Sequence, residues 1–168
     1  MKRFGLLLGA FLILTGLSFW DNGLKDIYTR YEGARVCFYL TANESLDLGN
    51  FSDGVIIIRN GAGVIADAPA EKAAALRRGF SDIKGESVSF DGKDSDALDI
   101  IRLYRARIIN RESLPLDNVG NSILIIYGCS KLLAKGVTLD GNQINIQIAV
   151  NSLTGKVTVG TPLILGSY

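Results

Sequence analysis

The chain has 168 residues and no histidine. The usual general base and the usual nitrogen ligand for a metal are therefore both missing. What remains for chemistry is acids, hydroxyls, lysines, two cysteines and side-chain amides. Asp91-Gly-Lys-Asp-Ser-Asp96 gathers three carboxylates. A calcium loop of the EF-hand kind needs glycine at its sixth place and a distal glutamate. Neither is present, so the stretch reads as a turn and a helix cap. Asn60-Gly-Ala-Gly-Val64 lacks the full G-x-G-x-x-G dinucleotide pattern and reads as a hairpin turn. Leu153-Thr-Gly-Lys156 lacks the upstream glycine of a phosphate loop, and a strand-forming run follows it. Ser130 has Lys131 and Lys135 nearby for a Ser-Lys dyad, but adjacency on a connecting loop does not build one. Asp47, Asp53 and Asp67 are the acids from which a glycosidase-like pair could be assembled, though they read more simply as solvated loop charges. No catalytic residue, metal ligand or cofactor follows from these patterns.

One row of side chains stands apart. Asn145, Gln147 and Asn151 alternate with Ile146, Ile148 and Val150, and Thr158 alternates with Val157 and Val159. Uncharged hydrogen-bonding groups on an open sheet face can hold a peptide or a glycan. The row is therefore the candidate binding surface, with an ordinary solvent-facing strand as the plainer reading.

The elements that would position this row follow from periodicity. Ile144 to Val150 alternates with strict period two, a turn spans Asn151 to Lys156, and Val157 to Gly160 returns. This predicts an antiparallel hairpin with Ile144, Ile146, Ile148 and Val150 buried and the amides wet. Ala34–Thr41, Gly85–Phe90 and Ser122–Cys129 read as strands. Val55 to Ile58 is apolar on both faces, which suggests a central strand. Pro69 opens an alanine-rich helix. A second helix follows Asp94 or Ser95, with Ala97, Ile101, Tyr104 and Ile108 on one face. Asp140-Gly141 is a turn signal. Cys37 and Cys129 each lie in strand-like surroundings, where a disulfide and two buried thiols are both natural.

The first 20 residues are of another kind. Lys2 and Arg3 precede an uncharged apolar run of about 17 residues to Trp20, the pattern of an export signal. Gly16 and Ser18 could frame a cleavage site, and Phe19-Trp20 could instead anchor an uncleaved segment at the interface. Either way the positive N-terminus predicts an exported body. Beyond Ser18 the net charge is about −1, and with export this argues against a nucleic-acid partner. The expected organisation is a signal or anchor over 1–20, a spacer or short helix over 21–33, and one α+β domain over 34–168.

The terminal hairpin carries a family resemblance. Asn145-Ile-Gln-Ile-Ala149, followed by Val159-Gly-Thr-Pro162 and a terminal Tyr168, resembles the C-terminal end of the YwmB-like proteins of spore-forming Gram-positive bacteria. The match is close over about 25 residues and looser back through the strands and helix before it. It implies a fold like that of the TATA-box-binding protein, a curved antiparallel sheet with helices packed on one face, in an exported protein. It implies no DNA binding and no particular reaction. The expected function is a non-enzymatic, membrane-proximal module that binds a protein or envelope component in envelope or sporulation processes. The alternative is an exported cell-wall hydrolase working through carboxylates.

Overall fold

The computed structural model describes residues 23–41, 53–60 and 63–165. The apolar N-terminal segment, Asp47 and Tyr168 lie outside the described residues. Among the described residues, ten strands and three helices follow in chain order. These are α1 (Lys25–Tyr28), β1 (Arg35–Leu40), β2 (Ile56–Asn60), β3 (Gly63–Pro69), α2 (Ala70–Gly79) and β4 (Ile83–Asp91). Then come α3 (Asp94–Leu103), β5 (Arg107–Pro115), β6 (Ser122–Cys129), β7 (Val137–Leu139), β8 (Asn142–Ile144), β9 (Ile146–Asn151) and β10 (Lys156–Thr161).

Eight strands form one sheet in the order β2-β3-β1-β4-β10-β9-β6-β5, and every pairing in it is antiparallel. β7 and β8 make a separate hairpin. Its turn is Asp140-Gly141, both at positive φ (49° and 77°), as the dipeptide signals. The architecture is α+β, with the helices on one face of the sheet. Val36, Phe38, Val88, Phe90, Ile146, Ile148, Val157 and Val159 point to that face and form its core with Ala73, Leu76, Ala97, Ile100 and Tyr104. Ile146 and Ile148 are fully buried, each worth about 2 kcal/mol of transfer free energy.

Both long helices begin where expected, with changes of detail. Pro69 is the N-cap residue of α2, not its first helical residue. Lys93 is the N-cap of α3, and its backbone N–H donates to Asp96 Oδ2 at 2.9 Å, closing the first turn. Ile108 does not continue the α3 stripe, because the helix ends at Leu103 and Ile108 lies on β5.

Three expectations are corrected. β2 is an edge strand rather than a central one, with Ile56 and Ile58 about half exposed. Its apolar run reflects one face packed on the core through Ile57 and another left open. Ile144 leaves the face of Ile146 and Ile148, because the strand breaks at Asn145, and it packs with Val137 and Leu163 in a satellite cluster. From Gly23 onward, the stretch before β1 is no spacer. Leu24, Ile27 and Tyr28 are buried in the main core, and Tyr31 stacks on Phe90 with ring centroids 3.6 Å apart.

That N-terminal stretch is held by Glu86, whose side chain is fully buried on the helix-bearing face of β4. Its carboxylate accepts bonds from Leu24 N, from Arg77 Nη1 on α2 and from Tyr28 Oη, the last at 3.0 Å. Gly23 lies against this group, where a Cβ would meet the ends of the Glu86 and Arg77 side chains.

Candidate functional site

Asn145, Gln147, Asn151 and Thr158, the amide row expected in solvent, are all buried, at 3%, 5%, 9% and 5% exposure. The premise of an open amide face is therefore corrected. After β10 the chain doubles back over the outer face of the sheet. A Cβ on Gly160 would lie 2.6 Å from Ile164 N and 2.7 Å from Leu163 C, so glycine is needed for the return. Ile164 packs with Ile123, Ile125 and Ala149, and its N–H donates to Gln147 Oε1 at 3.0 Å. Gln147 therefore serves the covering segment.

Asn145 is fully occupied. Its Oδ1 accepts from Ser130 N at 2.7 Å, and its Nδ2 donates to Ser130 O at 2.7 Å and to Ala134 O at 2.9 Å. Its own carbonyl accepts from Thr161 Oγ1 at 2.8 Å. Asn151 Oδ1 accepts from Leu153 N and Thr154 N and so shapes the β9–β10 turn. Thr158 alone keeps a place in a polar row, through Ser89 Oγ at 3.0 Å. The signals for this burial were the absence of Lys and Glu along β9 and the apolar Pro162-Leu-Ile-Leu165 that follows β10.

The less covered part of the outer face lies across β3, β1, β4 and β10. The registers define two neighbouring rows. One runs Arg35, Ser89, Thr158, and the other runs Asp67, Cys37, Ser87, Gly160. Arg35 Nε donates to Asp67 at 3.1 Å, and Arg35 Nη2 donates to Gly54 O at 3.2 Å. Tyr39 Oη and Ser87 Oγ are 3.3 Å apart. Ile56 and Ile58 border the strip on the β2 side, and Pro162 to Leu165 border it on the other.

Its ionisable groups are held neutral or paired. Burial, with the charge of Asp67 beside it, pushes the Cys37 thiol up to about 12. Burial raises the Tyr39 phenol to about 12 as well, with the Ser87 hydrogen bond partly opposing. Cys37 is thus a thiol at neutral pH, not the thiolate a nucleophile requires. Ser87 and Thr158 are buried, so what the strip presents is the half-buried Arg35–Asp67 ion pair with Cys37 and Ser89 beside it.

The other candidates separate. Asp53 is fully exposed beside Lys72, and Asp67 is tied to Arg35. Asp96 caps α3. Ser130 Oγ donates to Tyr104 O at 2.5 Å and accepts from Leu132 N, which commits it to the loop rather than to a lysine. Cys37 and Cys129 are free. Four strand steps separate β1 from β6, roughly 19 Å at the usual spacing, far beyond disulfide reach. Among the described residues no three Cys, Asp or Glu side chains gather as a metal site, and no helix is long and apolar enough to cross a membrane.

Comparison with known proteins finds no matching family model, no matching curated protein and no matching solved structure.

Proposed function

We propose that this chain is an exported, membrane-proximal, non-enzymatic binding module of the YwmB-like kind. Its sheet would be curved in the manner of the TATA-box-binding protein. Its partner is a protein or envelope component, in a process such as sporulation, and not nucleic acid. The observation that carries the binding part is the half-buried group of Arg35, Cys37, Asp67 and Ser89 on the face away from the helices. Export rests on Lys2, Arg3 and the apolar run to Trp20, and the family reading rests on the terminal hairpin motif. If the apolar segment is retained as an anchor, three residues, Asp21 to Gly23, separate Trp20 from the buried Leu24. The body would then sit directly on the membrane.

The hydrolase alternative has less support, because Asp53 and Asp67 are each engaged by a cation and do not face one another as a pair. Export is tested by a reporter fused after Tyr168. Activity outside the membrane is expected, and activity confined to the cytoplasm would refute the localisation.

A further inference from the structure

The two edges of the eight-stranded sheet are built differently. β5 carries exposed Arg107, Arg111 and Glu112, a register shift between Ile108 and Asn110, and Pro115 at its end. These are the usual protections against strand addition. β2 has one exposed charge, Arg59, and neither a register shift nor a proline. It is Ile56-Ile-Ile-Arg-Asn60, with Ile56 53% and Ile58 52% exposed.

The direction of its free backbone groups follows from register. Ala70 N donates to Ala34 O at 2.9 Å. In an antiparallel ladder the bonded pairs alternate, so Val36/Ala68, Phe38/Ala66 and Leu40/Val64 are the bonded pairs of β1 and β3. The intervening Gly63, Ile65 and Asp67 turn their backbone groups to Asn60, Ile58 and Ile56 of β2. Ile57 and Arg59 are left with N–H and C=O directed away from the sheet.

We infer that this edge pairs with β2 of a second copy, antiparallel, about a twofold axis through Ile57. Ile57 then exchanges both backbone bonds with Ile57 of the other copy. Arg59 pairs with the other copy's Val55, and Ile56 lies across from Ile58 in the close, non-bonded position. The choice of a second copy comes from self-complementarity and charge. Every half-exposed isoleucine gains an isoleucine, and β2 carries no acid and one cation. The two Arg59 residues stand four positions apart along the ladder, roughly 13 Å, beyond the screening length of about 8 Å at physiological salt. An edge this short gives an interface below the standard size, so the association is reversible and depends on concentration.

The test uses two full-length copies with different tags, Ile56→Cys in one and Ile58→Cys in the other, expressed together and treated with a mild oxidant. The twofold places positions 56 and 58 of opposite copies within disulfide reach. It leaves 58 and 58 of opposite copies on the diagonal, about 7–8 Å apart. A cross-linked dimer from the mixture, well above that from either variant alone or from the parent with Cys37 and Cys129, is expected. Ile58→Lys in the full chain should shift detergent-solubilised protein to monomer in sedimentation and keep its melting temperature. Three results would overturn the inference: no cross-link in the mixture, equal cross-linking of either variant with itself, or cross-linking only to a different protein or within one chain.

Discussion

Asn145 and Ser130 bind each other in both directions, with Ser130 N donating to Asn145 Oδ1 and Asn145 Nδ2 donating to Ser130 O, each at 2.7 Å. The amide therefore acts as a staple that fastens the 130–134 loop to the end of the sheet. It fills the role that backbone pairing would fill in a regular strand, at the point where β8 gives way to β9.

Replacing Asn145 by alanine strands Ser130 N and at least two carbonyls in a buried site. Each unsatisfied group costs about 1–3 kcal/mol. A loss of about 2–4 kcal/mol in urea unfolding is expected, near the low end of that sum because water can enter the loop. Asn145→Asp should be no better, since it sets an oxygen against the carbonyls of Ser130 and Ala134. Changing Asn145 and Gln147 together to lysine should unfold the domain. A stable double-lysine protein would show that the outer-face cover is absent in solution.

The covering segment gives a second prediction. Gly160→Val should push Leu163 and Ile164 off the sheet and free Gln147, lowering stability by about 2 kcal/mol and exposing the Ile164 amide to hydrogen exchange. Gly79→Ala is the control, because a Cβ there meets nothing within 4 Å. Equal effects of the two changes would refute the close approach at Gly160.

Glu86 governs the start of the body. Glu86→Ala leaves the buried Arg77 guanidinium, itself 7% exposed, without its counter-charge. Breaking one side of a buried pair costs about 3–5 kcal/mol. Removal of the chain through Tyr28 should unfold the body. Survival of that deletion with its cooperative transition intact would contradict the packing of Leu24, Ile27 and Tyr28.

The pH dependence follows from Cys37. Its folded value, about 12, lies above the ordinary 9.0 because burial and Asp67 disfavour the thiolate. The raised value means that the folded state holds its proton more tightly. The contribution to stability is therefore complete below pH 9 and is lost as pH rises from there through about 12. Cys37→Ser should flatten part of this alkaline decline, with the Tyr39 phenol, raised in the same way, supplying another part. The native protein should also leave Cys37 unalkylated at pH 8 under conditions that modify the urea-unfolded chain. Rapid alkylation of native Cys37 would contradict the burial argument.

Much of the architecture is visible in the residue pattern, because it depends on local period. The β9–β10 hairpin, the two long helices and the Asp140-Gly141 turn all follow from alternation, alanine content and turn residues. The amides were misplaced because alternation separates two faces without saying what covers either one. Leu163 and Ile164 cover the second face, and they act through a chain reversal that leaves no periodic trace. Ile56–Ile58 misled for a related reason. A run of isoleucine marks a strand equally well at the centre of a sheet or at its edge, and only the pairing order decides. The Arg35–Asp67–Cys37–Ser87 strip comes from three strands far apart in the chain, so no local spacing announces it.

The most direct measurement is site-specific photo-cross-linking in cells, with the photoreactive residue placed at Ser89 on the outer strip or at exposed Arg102 on α3 of the full chain. The account predicts that Ser89 yields a distinct adduct in the extracytoplasmic envelope fraction, and that Arg102 does not yield it. Adducts of equal kind and amount from both positions, or from Ser89 only in the cytoplasm, would contradict an exported module that binds through this face.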